Sequence, residues 1–321
     1  MKILVTGVTG FIGQSLVDRL AVNQDYCIWG TARRAGVKAP KRVSVIPVGD
    51  VCSSTNWSRA LQDVGVVVHL AARAHVLGDS SLDPLAEFRS INVEGALTLA
   101  RQALDAGVKR FIFISSIGVN GSYTSDKPFN ESSIPAPHAD YAISKLEAEQ
   151  GLRVLLKGSD MELVIIRPPL VYAGHAPGNF ARLLKLVACR VPLPFSAVRN
   201  TRSMIALENL VEFITLCIEH PAAANELFLV SDGVDVSTTD IICYLAAGMS
   251  LKAHLLPVPN FLIRYGASLL GKQAVYTQLC GSLAIDSSKA RDLLGWSPQV
   301  TPEQALFKAG QDYQQIVALR S

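Results

Sequence analysis

Short apolar runs alternate along this chain with longer segments whose apolar positions recur every three or four residues. Ile3 to Val5, Tyr26 to Thr31, Val43 to Val48, Val64 to Leu70, Phe111 to Ile114 and Glu162 to Ile166 have strand length and read as strands buried on both faces. Between them, Phe11, Ile12, Leu16, Val17 and Leu20 form one helical stripe. Leu85, Phe88, Ile91, Ala96, Leu99 and Ala103 form a second, which predicts one long helix from about Pro84 to Ala106, stopped by Gly107. Tyr141 to Leu156 is a third helix. Strands that take turns with helices specify an α/β fold with a doubly wound parallel sheet.

After Arg167-Pro168-Pro169 the texture changes. Pro177 to Pro194 reads as a helix with a proline-punctuated exit. Leu207 to Glu219 (helix) and Leu227 to Val230 (strand) return to the sheet, and the remainder is helical segments broken by Pro and Gly, closing with a helix near Pro302 to Val317. The expected organisation is a sheet domain of residues 1–167 plus 203–230, and a smaller, mostly helical C-terminal lobe of residues 168–202 plus 231–321.

Composition adds exclusions. The chain has 321 residues, 49% of them hydrophobic, with a mean hydropathy of +0.28. No apolar run reaches the ~18 residues that span a bilayer, so this hydrophobicity reads as core and no membrane insertion is expected. No export signal is visible at the N-terminus. Cys27, Cys52, Cys189, Cys217, Cys243 and Cys280 are scattered with no C-x-x-C pair, as expected of reduced thiols in a cytoplasmic protein. No His/Cys/carboxylate group has metal-ligand spacing, so no metal is expected. Net charge is only +3, without a basic run interleaved with aromatics, which argues against nucleic-acid binding.

Candidate chemistry begins at the first strand, which runs into Gly7, Gly10 and Gly13 and then the first helix. Such a unit suggests dinucleotide binding: Gly7 permits the tight turn, Gly10 lets backbone amides reach a diphosphate, and Gly13 lets helix and strand pack closely. The diphosphate would sit at the positive end of the helix. Tyr-x-x-x-Lys occurs twice. Tyr123 and Lys127 fall in a Gly/Ser/Pro-rich loop from Gly118 to Pro137, where that spacing carries no meaning. Tyr141 and Lys145 open a helix and share a face, ~6 Å apart along its axis. A lysine cation there is expected to pull the phenol pKa down from about 10 toward neutrality. Ser116 ends a sheet strand at the carboxyl edge, where its hydroxyl could hold a substrate oxygen changing between carbonyl and alkoxide.

These residues carry a resemblance. The chain resembles an extended short-chain dehydrogenase/reductase of the nucleotide-sugar epimerase, dehydratase and reductase group. The resembling elements are Thr6-Gly7-x-x-Gly10-x-x-Gly13, Gly49-Asp50, His69-Leu70-Ala71-Ala72, Asn92-Val93-x-Gly95, Ser115-Ser116, Tyr141-x-x-x-Lys145, Arg167-Pro168, Arg202 and Leu294-Gly295-Trp296-x-Pro298. The resemblance implies a Rossmann sheet, a catalytic triad of Ser116, Tyr141 and Lys145, and a C-terminal lobe that binds substrate. The cofactor would lie against Gly7, Thr9, Gly10, Phe11, Ile12 and Gly13, with Asp50 and Val51 at the adenine. Leu70, Ala71 and Ala72 would line the groove, Tyr141 and Lys145 would reach the nicotinamide ribose, and Pro168 would lie by the nicotinamide. Arg202 matches an arginine that clamps a substrate diphosphate; Asn179, Arg73, Ser116 and Asn120 would be further contacts to a UDP-sugar. A homodimer through the two long helices is implied as well.

Three departures shape the expected reaction. Ser116-Ile117-Gly118-Val119-Asn120 lacks the acidic pair that dehydratases of the group use. Thr31-Ala32-Arg33-Arg34 ends the second strand where NAD-selective members place Asp or Glu, so Arg33 and Arg34 favour NADP over NAD. Val119-Asn120-Gly121 stands where sugar epimerases commonly have Val-Tyr-Gly. The run His69-Leu70-Ala71-Ala72-Arg73-Ala74-His75-Val76, with Val119-Asn120-Gly121, resembles bacterial surface-polysaccharide enzymes. The expectation is reduction at C4 of a UDP-4-keto-6-deoxy-N-acetylhexosamine; 4-epimerisation of a UDP-hexose or UDP-N-acetylhexosamine with tightly held NAD is the alternative, and a silent dinucleotide sensor a remoter one.

Overall fold

The computed structural model describes residues 1–37, 43–74 and 83–319; His75 and Val76 of the resembling run lie outside the described residues. Among the described residues nine strands form: β1 (Lys2–Thr6), β2 (Cys27–Ala32), β3 (Val43–Pro47), β4 (Val66–His69), β5 (Arg110–Ile114), β6 (Glu162–Arg167), β7 (Leu170–Tyr172), β8 (Met204–Ala206) and β9 (Leu227–Leu229). Seven make one sheet in the order β3-β2-β1-β4-β5-β6-β9, parallel at every pairing. Chain order reverses direction between β1 and β4, so their carboxyl ends diverge to opposite connections and leave a crevice. The short β7 and β8 pair separately.

The strands are apolar on both faces because both are covered. On one side α1 (Phe11–Leu20) and a later helix (Leu207–Glu219) bury Leu16, Val17, Phe213 and Ile214 against Ile3, Val5, Ile112 and Val164. On the other lie α2 (Pro84–Arg89), α3 (Gly95–Asp105) and α4 (Asp140–Leu155), with Leu99, Ala103 and Leu152 against Leu4, Phe111 and Phe113. Helices on both faces make the sheet doubly wound, as the pattern specified.

The single helix expected over Pro84 to Ala106 is instead two, α2 and α3, joined by one wider turn at Ser90–Glu94 in which Gly95 N donates to Ser90 O. The cause is Asn92, drawn inward: its amide donates to Arg73 O (3.1 Å) and Ser144 Oγ (3.0 Å) and its Oδ1 accepts from Arg73 N (2.8 Å). One extra residue in the turn lets it reach both. Such wide turns concentrate at functional sites.

Residues after β6 build a second core. It gathers Tyr172, Phe180 and Leu184 of β7 and α5 (Gly178–Ala188), Met204 and Ala206 of β8, which leads into α6 (Leu207–Glu219), and the inner faces of α7 (Thr238–Gly248) and a C-terminal helix (Pro302–Ala318). The helix expected to continue to Pro194 ends at Ala188, and Arg190 beyond it adopts φ +54°. Then come α8 (Asn260–Leu269), α9 (Gln273–Cys280), α10 (Ser288–Leu294) and α11 (Pro302–Ala318). From the far end of this region, Ala290, Leu294 and Trp296 pack back into the first core, Trp296 edge-on to Phe213 with ring centres 5.0 Å apart.

Candidate active site

At the crevice the glycine turn meets the exit of β4. Gly7 has φ +68°, and a Cβ there would come within 3.0 Å of Ala71 N; a Cβ on Gly13 would stand 2.2 Å from the Gly7 carbonyl oxygen. Both positions therefore exclude any side chain. Thr6 ties the edges together: its hydroxyl accepts from Leu70 N (3.1 Å) and Ala71 N (3.0 Å) and lies 2.9 Å from His69 Nδ1. Having accepted twice, the hydroxyl donates to Nδ1, which leaves the proton of a neutral ring on Nε2. Burial, helped by the nearby Lys145 charge, pushes the His69 pKa down to about 3, so the ring stays neutral.

A dinucleotide fits these residues. Gly10 occupies the N-cap of α1 with no side chain bonded to the helix amides, and no acid lies in the first turn. The amide end of the helix is thus available to an anion. Thr9 and Gly10 are exposed, Phe11 and Ile12 half-buried, and Gly13 buried. Leu70, Ala71 and Ala72 are partly buried along the groove, Asp50 is exposed, and Val51 is half-buried against α3. Arg33 and Arg34 are exposed just past β2. Pro168, after β6, accepts a hydrogen bond from Ile117 N (2.9 Å).

One strand further along, the three expected catalytic groups assemble. Ser116 follows β5 and caps a short turn, its Oγ accepting from Gly118 N at 3.1 Å. A Cβ on Gly118 would touch both Ser116 Oγ (3.4 Å) and Ala142 Cβ (3.2 Å), so the hydroxyl abuts the first turn of α4, which carries Tyr141. Lys145 is fully buried; its Nζ donates to Ile114 O (2.8 Å) and lies 4.5 Å from the Phe113 ring centre and 5.9 Å from that of Tyr141. Phe88 of α2 meets Tyr141 edge-on, centres 6.1 Å apart. By contrast Tyr123 and Lys127 sit exposed in irregular backbone.

The expectation that Lys145 pulls the phenol toward neutrality is corrected here. Burial pushes the Tyr141 pKa up to about 12 and the Lys145 pKa down to about 7, the latter against the pull of Glu149. Both groups lose water, and the ammonium turns to the Ile114 carbonyl, so desolvation outweighs their mutual attraction. The phenol therefore carries its proton.

Behind the triad lies a polar cluster that the motifs did not show. Glu149, one turn beyond Lys145, is buried and forked by Arg167 (Nε–Oε1 2.9 Å, Nη2–Oε2 2.5 Å), and accepts from the Ser115 hydroxyl. Arg167 Nη1 also donates to Asn120 Oδ1 (3.0 Å). Asn120, expected to meet substrate, is 1% exposed, and only its Nδ2 has no partner among the described residues. The sequence signal was the register: Tyr141, Lys145 and Glu149 recur every four residues on one face of α4.

The remaining expected contacts are spread out: Arg73 sits after β4 against α2, and Arg202 and Asn179 lie in the residues beyond β6. Arg73 lies 3.7 Å from Glu87 and 5.7 Å from the centre of the Phe88 ring, the same ring that meets Tyr141. Arg202 bridges to Val236 and Leu283, donates to Gly281 O (3.3 Å) and has no carboxylate partner among the described residues; burial holds its pKa below the usual arginine range. A half-buried guanidinium without a counter-charge suits an anion. Asn179 is exposed at the start of α5, donating to Gln278 Oε1 (2.8 Å).

Glycine turn, switch-point crevice and Ser–Tyr–Lys group are those of an extended short-chain dehydrogenase/reductase. Residues 3–230 match the sequence model of the NAD dependent epimerase/dehydratase family, and the chain belongs to that family. It is 44% identical over 316 residues to a Vibrio cholerae protein named UDP-glucose 4-epimerase, covering 98% of this chain and 96% of that one. It is 27% identical over 272 residues, 84% of this chain and 77% of the other, to the Escherichia coli O157:H7 N-acetyl-alpha-D-glucosaminyl-diphospho-ditrans,octacis-undecaprenol 4-epimerase. Among solved structures it matches UDP-glucuronic acid 4-epimerase from Bacillus cereus in complex with NAD at a TM-score of 0.78 and 25% identity, covering 98% of this chain and 96% of that one.

Proposed function

We propose that this protein transfers hydride at C4 of a UDP-sugar, and that its net reaction is the single reduction of a UDP-4-keto-6-deoxy-N-acetylhexosamine. The reading rests on Ser116 and Lys145 meeting the first turn of α4 that carries Tyr141, at the carboxyl edge of the strands neighbouring the glycine turn. Gly7 to Gly13, Asp50, Val51 and Leu70 to Ala72 would hold the dinucleotide, and Arg33 and Arg34 favour a 2′-phosphate on it. When bound, it supplies the hydride. Ser116 Oγ orients O4 of the keto-sugar, and Tyr141 gives its phenolic proton to that oxygen as the carbonyl becomes an alcohol. Lys145 holds positive charge beside the phenolate left behind. Arg202, with Asn179 and Arg73, takes the diphosphate end of the substrate.

Reduction needs Tyr141 as the acid, and epimerisation needs it first as base and then as acid, so the same three side chains serve either reaction. The second reading, 4-epimerisation of a UDP-hexose with retained NAD, is favoured by the identity with the V. cholerae relative. Purified enzyme given the keto-sugar and NADPH or NADH separates them: stoichiometric loss of reduced-nucleotide absorbance supports reduction. Interconversion of UDP-glucose and UDP-galactose without added cofactor supports epimerisation instead. We further propose a cytoplasmic homodimer joined through α3 and α4, whose outer face carries Leu97, Arg101 and the exposed Val154.

A further inference from the structure

The helical hairpin of α8 and α9 is apolar on the outside. No residue of α8 is buried, and Phe261, Tyr265 and Leu269 recur every four residues, 69%, 64% and 69% exposed, with Leu262 beside them at 48% and Leu270 just beyond at 75%. Ile263, on the opposite face, is the side chain that packs against the lobe's core. A helix apolar on both faces is ordinarily covered on both, and an uncovered apolar stripe of this kind marks an interaction surface.

Charge identifies what covers it. Residues 241–285 contain three Lys or Arg and no Asp or Glu; residues 177–207 contain five and none. The two segments are joined: Leu193 pairs with Leu255, Ser196 N donates to Leu256 O, and Asn179 bonds Gln278. Subtracting these eight from the chain's 30 Lys and Arg leaves 22 against 27 carboxylates, so the rest of the chain is net negative while these two joined segments carry cations and no carboxylate. Arg264 within α8 and Lys272 just beyond it are exposed beside the apolar stripe, and Lys185 and Arg190 are exposed on the segment joined to it.

We infer that the α8–α9 hairpin docks the enzyme on an anionic lipid bilayer, its apolar stripe entering the headgroup boundary and its flanking cations meeting lipid phosphates. A second copy of this face would set like charge against like charge, and steering of a soluble diphosphate would have no use for exposed Phe261 and Leu269. Interfacial helices combine such an apolar stripe with such basic flanks. Among the described residues no helix is long and apolar enough to cross a membrane, so attachment would be peripheral.

Co-sedimentation of the full-length protein with phosphatidylglycerol and with phosphatidylcholine vesicles tests this. Binding should be at least about tenfold tighter to the anionic vesicles and weaken in about 0.5 M salt. Phe261→Glu with Leu269→Glu should abolish it while leaving the melting temperature and soluble-substrate turnover unchanged; Arg264→Glu with Lys272→Glu provides a second variant should the first fail to fold. Absence of vesicle binding, equal binding to both lipids, binding that survives the folded variants, or variants that lower only the oligomeric state by sedimentation would each overturn the inference.

Discussion

Glu149 and Arg167 form a two-pronged ion pair, 2.5 and 2.9 Å, with both side chains all but sealed from water one turn of α4 beyond Lys145. Breaking it from one side strands the other charge in the interior. Arg167→Met or Glu149→Leu alone should therefore lower unfolding stability by about 3–5 kcal/mol, while the double substitution should cost clearly less than the sum. Urea denaturation of the three variants measures the coupling, and additive losses would show the pair to be unimportant.

The buried Lys145 gives stability a pH signature. Its folded pKa near 7 lies below its unfolded value near 10.5, so below pH 7 the folded protein carries the full penalty of a buried ammonium. Between pH 7 and about 9 the unfolded chain binds the extra proton, and stability rises with pH. Above about 9 the sign reverses, first through the buried Cys217 and Cys280 thiols, which burial holds above their ordinary value, and then through Tyr141, whose folded pKa near 12 keeps a proton that the unfolded chain has lost. Urea midpoints from pH 6.5 to pH 8.5 should climb in the native protein and climb less in Lys145→Met.

Arg202 has no carboxylate partner among the described residues, and a substrate diphosphate would supply the counter-charge. Arg202→Met should raise KM about ten- to a hundredfold with a much smaller change in kcat, as expected for an interaction made equally in ground and transition states. A fall in kcat with KM unchanged would place the arginine at the reacting carbon instead.

Arg33 and Arg34 stand exposed at the end of β2. Arg33→Asp with Arg34→Gln should shift the ratio of kcat/KM for NADPH over NADH by at least about tenfold toward NADH. An unchanged ratio would remove the arginines from cofactor choice.

The sheet was legible because the central strands β1, β4, β5 and β6 each carry three or four consecutive apolar residues buried on both faces, while the edge strand β3, with Ser44 exposed, gave a weaker signal. Tyr141 and Lys145 were legible for a similar reason: a spacing of four has a fixed meaning once a helix is recognised. Short elements were not; β7 and β8 are three residues each and take their conformation from each other. The wide turn at Ser90–Glu94 escaped because its cause, Asn92 reaching Arg73 and Ser144, spans segments far apart in sequence. The same holds for Ser115, Glu149 and Arg167, and for Asn120, which reads as a loop residue until Arg167 is seen to hold it inside. The direction of the Tyr141 shift also needed coordinates, since spacing records the neighbouring charge but not the lost water.

The central claim is that Tyr141 passes a proton to O4 while hydride arrives at C4 of a UDP-keto-sugar. It is tested by supplying nucleotide deuterated at the transferring position and locating the label by mass spectrometry. One deuterium should appear at C4 of the product sugar per nucleotide oxidised, and Tyr141→Phe should slow that transfer by about 10²–10⁴-fold with cofactor affinity nearly unchanged. Product without deuterium at C4, or full-rate transfer by the phenylalanine variant, would contradict it.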